Sequence, residues 1–445
     1  MSPATRIAEL AATIQEHTSK FDVSCPLRLS LPPDIQASRN AVLEASDELT
    51  ALILGPVESL IPPICLPTKC LDKCDRTTTI WDVRTISYPN LSVIRSRPLT
   101  NAVFIIFSSI ILSQEQLTLP HQPALPPSPS TRTSTFPEIA QTCSIREFDA
   151  RSLIRHAMSF YIFHEPSPGI IAHTASSKAL AEIPPVSYFI GFVSEEMLPA
   201  STRLVDAMIK WPGSQESNES GYVLVNGTDV PMRKYISRDF RRSQKMGKAM
   251  AFLKSRPSES VQRVLESFSW DDAADGLVVD VGGAKGTVGI ELLRFLPKLK
   301  CIVQIQLEVV RDTTIPDDLQ ERLNFMAHDF FQEQPVKGAN VYLICNVLRD
   351  WSDRYAARIL KILIPALKKG VRVLVCDRVL PAPCTLTPYQ MRRQRADDLY
   401  MRGFHNARVR DPNDWEQLFA SVDDRFKSFQ VGTVDGSELS TICVT

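Results

Sequence analysis

Leu277-Val-Val-Asp-Val-Gly-Gly-Ala-Lys-Gly-Thr-Val-Gly-Ile290 decides the fold. Leu277 to Val281 is an apolar run of strand length, broken by the glycines at 282, 283 and 286. Glycine lets the backbone turn sharply and approach a ligand closely. Leu292, Leu293 and Phe295 follow at helical spacing. The segment therefore reads as strand, turn and helix. The first N–H groups of a helix have no internal partner and attract carboxylate or phosphate. A tight joint with no ligand remains the alternative reading.

Outward from this stretch the alternation continues. Strands are expected at 277–281, 301–305, 323–327, 341–345 and 371–376, with a last one at 439–444 and helices between them. That pattern predicts an α/β domain over 265–445 with a doubly wound, mainly parallel sheet, whose ligands sit at the carboxyl ends of the strands. Residues 134–264 read as mainly helical: two short helices after Thr135 and a hairpin around Pro166-Ser-Pro-Gly169 give a winged helix. Its second helix carries only Arg151, Arg155 and His156 as basic groups, so a packing and dimerisation module is favoured over DNA binding. Residues 1–60 hold amphipathic helices over 4–22 and 38–60 that need a partner surface, for which a second subunit suffices. Residues 61–133 are proline-rich and lack sustained periodicity. They read as a disordered insertion, or in part (89–132) as translated intron.

Fifty basic and fifty acidic residues cancel, which excludes a strong electrostatic grip on nucleic acid or anionic lipid. The apolar run 102–112 is too short to cross a membrane. The N-terminus shows no secretory signal, which implies a reducing compartment, cytoplasmic or nuclear, and free thiols among the ten cysteines. Cys65, Cys70 and Cys74 lack a fourth ligand nearby, so no metal site is expected.

Val279-Asp-Val-Gly-Gly283, Ala327-His-Asp-Phe-Phe331, Asp350-Trp-Ser-Asp353, Ile364-Pro-Ala-Leu367, Asn406-Ala-Arg408 and His173-Thr-Ala-Ser176 together form a specific set. With them the chain resembles the fungal S-adenosylmethionine-dependent O-methyltransferases of aromatic polyketide pathways. The resemblance implies a Rossmann-like class I methyltransferase domain behind a winged-helix and dimerisation part, and a homodimer. It also implies a cofactor site at Asp280, Gly282, Gly283, Gly286, Glu308 and Asp329. The family's base, a histidine directly before Asp-Trp-Ser-Asp, falls on Arg349. Arginine keeps its proton and has no acceptor lone pair. Of the two acids that orient that histidine, the first falls on Asp377 and the second on Val409. The ribose-binding acid falls on Ile305, with Gln304, Gln306 or Glu308 as substitutes, and Ala284 replaces a common glycine. His405 reads as a packed or surface residue.

These departures imply weak or lost S-adenosylmethionine binding. They point to a subgroup that the chain resembles in Ala181-Glu-Ile-Pro-Pro185 and Trp211-Pro-Gly-Ser214: methyltransferase-like, non-catalytic transcription coactivators that work with a zinc binuclear-cluster activator. The alternative is an active O-methyltransferase acting on a small phenolic polyketide.

Overall fold

The computed structural model describes residues 3–18, 33–58 and 133–444, apart from 262–264, 266–267, 271–272, 311–312, 427 and 435–436. The proline-rich segment, the three cysteines within it and the link between the first two helices lie outside the described residues. The chain divides into two compact units, Met1–Glu195 and Glu196–Thr445.

In the first unit, helices Pro3–Thr18 and Pro33–Glu58 are joined by Arg6, whose Nε donates to Glu48 Oε1 at 2.8 Å. The second helix breaks its regular geometry at Gly55, where φ is 73°. Further along, strand β1 (Ser134–Thr135) leads into helices Phe136–Cys143 and Glu147–Met158 and then the hairpin β2 (Phe163–Ser167) and β3 (Ile170–His173). Thr135 caps the first of these helices in a reciprocal box with Glu138. The three strands pair antiparallel in the order β1-β3-β2, and Phe136, Ile154 and Ile171 make their core.

The second unit is built on a seven-stranded sheet of order β6-β5-β4-β7-β8-β10-β9. Its strands are β4 (Leu277–Val281), β5 (Lys300–Ile305), β6 (Leu323–Ala327), β7 (Val341–Cys345), β8 (Arg372–Asp377), β9 (Phe429–Thr433) and β10 (Ser440–Val444). The first five run parallel, while β10 pairs antiparallel with both β8 and β9. Strand side chains alternate between faces. Val279 and Val281 therefore enter the core that holds Ile344, Leu360 and Trp415, while Val278 enters the opposite core with Leu292, Cys301 and Leu343. Burial on both faces explains why these strands read as nearly continuous apolar runs. β9 is not expected from the sequence. It is an edge strand whose Gln430, Val431 and Thr433 face solvent, so it gives little hydrophobic signal.

β4 pairs with β5 on one side and β7 on the other, so strand order reverses beside it. In sheets of this kind the carboxyl ends of strands such as β4 and β7 are where a ligand crevice is expected. The rim beyond β7 is the turn from Leu348 to Ser352, which enters the helix Asp353–Leu363. Arg410 holds that turn. Its fully buried guanidinium donates from Nη1 to Leu348 O and from Nη2 to Trp351 O, each at 2.9 Å. Nε donates to Asp353 Oδ1 at 2.8 Å, and the group lies 5.3 Å from the Trp415 ring centre.

Removing one partner of a buried pair leaves the other charge and its acceptors stranded. Arg410→Leu is expected to lower the unfolding free energy by about 3–5 kcal/mol. Arg410→Lys is expected to recover less than half of that loss, because one ammonium cannot reach three acceptors in a fork. Urea denaturation of the two variants beside wild type measures it.

Candidate functional site at the sheet's switch point

The glycine turn after β4 forms one wall. Gly282 and Gly286 adopt φ of 80° and 77°, and the Gly282 and Gly283 N–H groups donate to Gln304 O at 2.9 and 3.2 Å. A Cβ on Gly283 would lie 2.1 Å from Asp280 Oδ2, and one on Gly286 2.7 Å from the Phe325 ring. A side chain at either position would force these neighbours to move. Ala284 sits at φ 50°, a conformation that favours glycine. The helix Thr287–Phe295 starts at Gly286 with no side-chain cap, leaving its first N–H groups to the turn.

Asp280 lies under this turn, fully buried, and neither carboxyl oxygen has a hydrogen-bond partner among the described residues. Burial pushes its pKa up to about 7, against the opposing charge of Lys254. Asp329 is exposed on the far side, where its Oδ1 accepts the Phe331 N–H at 2.9 Å. Phe331 in turn stands edge-on to Trp351, with ring centres 4.8 Å apart. The Glu308 side chain lies outside the described residues.

At the end of β5, Ile305 is half-buried and offers no acceptor. Gln304 does not replace it. That side chain points to the other face and is buried, its amide clasped to Gln334 by two bonds of 2.7 and 2.9 Å. The substitution expected from Gln304 is thereby corrected: adjacent strand residues face opposite ways, and its amide is fully engaged.

The opposite wall carries Arg349 and Asp377. Asp377, at the end of β8, is fully buried; Oδ2 accepts the Arg349 N–H at 3.1 Å and Oδ1 the Arg378 N–H at 2.9 Å. Burial pushes its pKa up to about 6, although Arg349 pulls the other way. The Arg349 Nε stands 3.7 Å from Asp377 Oδ1, within ion-pair range but beyond a hydrogen bond, and has no hydrogen-bond partner among the described residues. Asp353 does not pair with Arg349; it accepts from Arg408 and Arg410. Burial works against the charge on Arg349, but Asp377, Asp350 and Asp397 outweigh it and hold its pKa above the ordinary value.

Asp350 is contacted by Arg233 and Asp397 by Arg378. His405 is packed into this cluster, the first of its two expected placements. Burial pushes its pKa down to about 4, Asp350 opposes that shift, and Arg233 and Arg349 add to it, so the imidazole is neutral at ordinary pH. Arg233, Asp397, His405 and Lys254 come from helices Met232–Ile236, Pro388–His405 and Phe240–Lys254, and nothing in their local sequence marks them. Val409 is buried, and its N–H donates to Asp398 Oδ1 at 3.0 Å. Beside it lies a cavity of about 560 Å³ bordered by Gln215, Ser352, Asp398 and Arg402, which Arg349 and Asp377 do not line.

No described helix is long and apolar enough to cross a membrane, and the described cysteines are free. No described group of histidine, cysteine and acidic residues could hold a metal.

Residues 214–423 match the family model of the O-methyltransferase domain. The chain is 36% identical over 310 residues to O-methyltransferase kk1A of Curvularia clavata, covering 70% of this chain and 73% of that one. It is 30% identical over 457 residues to the grayanic acid biosynthesis cluster O-methyltransferase of Cladonia grayi, covering 98% and 87%. The crystal structure of OxaC in complex with SAH and oxaline superposes with a TM-score of 0.63 at 16% identity, over 99% of each chain, which bears on the fold alone. That fold is the class I methyltransferase expected from the sequence. Both relatives are named as enzymes; this favours the enzymatic alternative over the coactivator reading, for which the comparisons give no support.

The two raised carboxyls have a consequence for stability. Each binds its proton more tightly in the fold than at the ordinary value of 3.8. Their stabilising contribution is therefore complete below about pH 4 and is lost as pH rises through about 6 to 7. Asp280→Asn removes one of the two titrations. The drop in unfolding free energy between about pH 5 and pH 8 is expected to be smaller in that variant than in wild type. Urea melts at the two pH values test it, and an equal or larger drop contradicts the assignment.

Proposed function

The chain belongs to the O-methyltransferase family, and on that premise we propose that it binds S-adenosylmethionine and methylates an oxygen of a small aromatic secondary metabolite. The glycine cradle at the switch point carries this reading: two positions where a side chain would collide with its neighbours, an uncapped helix start and a buried carboxyl whose oxygens have no partner among the described residues. These residues fit the cofactor, which would rest on Gly282, Gly283 and Gly286, with Asp280 below and Asp329 at the far end. When bound, it supplies a methyl group already activated by its sulfonium. The chain's own task is then to hold the acceptor oxygen in line and to exclude water.

The ribose end fits less well. Ile305 gives no acceptor and Gln304 is engaged with Gln334, so the grip there is weaker. A charge-assisted hydrogen bond contributes about 1.5–3 kcal/mol, roughly tenfold to a hundredfold in affinity. Ile305→Asp combined with Ala284→Gly is expected to tighten S-adenosylmethionine binding by that factor, measured by titration calorimetry. The reading as a whole is tested by mass spectrometry of a panel of aromatic acceptors. Methylated product from the wild-type chain supports it, and a chain that neither binds the cofactor nor yields product contradicts it.

A second reading has a specific observation behind it. Arg349 in the base position and Val409 in place of its orienting acid favour a methyltransferase-like coactivator that has no chemistry and partners a zinc binuclear-cluster factor. Turnover in the same panel excludes it.

For assembly we propose a homodimer through the helix Pro33–Glu58, which leaves Leu43 46% and Ile53 67% exposed on a described face. The winged-helix reading of 134–173 goes with it as a packing module. Ile53→Lys is expected to halve the mass seen by light scattering. A wild-type chain that is already monomeric at micromolar concentration contradicts the proposal.

A further inference from the structure

We propose that the acceptor is bound as an oxyanion already ionised near neutral pH, a carboxylate or the phenolate of an acidic phenol, with Arg349 as its counter-cation and no general base. This narrows the substrate class of the methyltransferase reading and rests on it.

The argument starts from unused donors. A guanidinium carries five N–H donors in a rigid fork. The Arg349 side chain is 20% exposed, yet it donates no hydrogen bond to any described residue, and its Nε is buried without a partner. Leaving charged donors unsatisfied in a protein interior is costly. The carboxylates that face it are engaged elsewhere. Asp377 accepts two backbone N–H groups, Asp350 is contacted by Arg233, and Asp397 by Arg378. They neutralise Arg349 at a distance without using its fork. The group that fills such a fork with two parallel bonds is an oxyanion.

The second step is the lack of anything to take a proton. Phenols of ordinary acidity, with a pKa of about 10, need a base of matched strength. His405 is held near 4, too weak for that task, and Asp377, at about 6, lies 3.7 Å from the Arg349 Nε, whose charge opposes its taking up a proton. Tyr400 and Cys345 also interact with Arg349, and both are pushed well above their ordinary values, so neither is an anion at neutral pH. Methylation of an oxyanion removes the need. One C–O bond forms and one C–S bond breaks, the C–S electron pair stays on sulfur, the oxyanion and sulfonium charges cancel, and no proton is released.

The experiment separates binding from turnover. The full chain, with S-adenosylhomocysteine added, is titrated calorimetrically at about pH 7.5 with benzoate, pentafluorophenol and phenol, as wild type, Arg349→Gln and Arg349→Lys. At least one anion is expected to bind wild type about tenfold or more tightly than phenol, the scale of a charge-assisted bond. Arg349→Gln is expected to abolish that preference and Arg349→Lys to keep part of it. Benzoate alone assigns a carboxylate acceptor, and pentafluorophenolate alone an acidic phenol. Phenol binding as tightly as both anions overturns the inference, and so does unchanged anion binding in Arg349→Gln. S-adenosylhomocysteine heat is read separately. Its absence, with Arg349-dependent anion binding intact, overturns the methyltransferase reading while the anion site stands. Thermal unfolding of each variant identifies a folding defect, in which case Arg349→Lys alone decides.

Discussion

A single buried guanidinium fixes where the chemistry can be. Arg410 is fully enclosed, and three acceptors within one turn and the following helix meet its fork: Leu348 O, Trp351 O and Asp353. The peptide from Leu348 to Asp353 therefore cannot drift relative to the end of β7. Arg349 and Asp350 inherit their positions from that constraint. Asp377 tightens it from the other side by accepting the Arg349 N–H. A buried charge held only by backbone carbonyls would be a poor stabiliser, but here Asp353 compensates it and the Trp415 ring covers it. Removal of either partner would therefore move the site as well as weaken the fold.

The sheet supplies the facing wall. Because strand order reverses beside β4, its carboxyl end meets that of β7, and helices cannot close the gap between them. Gly283 and Gly286 are needed there for steric reasons that concern Asp280 and Phe325 and not the turn alone. Asp280 is the cost of the arrangement: a carboxyl under the turn with no hydrogen-bond partner among the described residues, and a pKa raised by burial. A buried acid without partners is tolerated where a ligand or water completes it.

The legible parts of the sequence are local ones. The run 277–290 declares itself because strand, glycine turn and helix are contiguous, and the five parallel strands follow from apolar runs buried on both faces. Arg349 and Asp377 are reachable because each lies at a fixed offset from a recognisable neighbour. The failures share one cause, which is convergence of distant segments. Arg233 and Asp350 meet across more than a hundred residues, and His405 joins them from the end of a third segment. No spacing rule connects such positions. Gln304 is a different kind of failure. Strand parity alone places it on the face opposite to Ile305, so the alternation of the strand already argues against it as a substitute.

Two substitutions that look independent in the sequence become one change once the cluster is assembled. A histidine at position 349 would need an orienting carboxylate, and position 409 is where the family resemblance puts it. With arginine at 349 that carboxylate has no imidazole to hold, and the charge at 349 is already opposed by Asp377, Asp350 and Asp397. Buried like charges raise one another's pKa values and weaken the fold. Valine at 409 brings no charge; its side chain is buried, and its N–H donates to Asp398 Oδ1. An acid at 409 whose task is to orient a histidine has no such task once arginine stands at 349. Position 349 thus carries a fixed positive charge where the family resemblance puts an ionisable base.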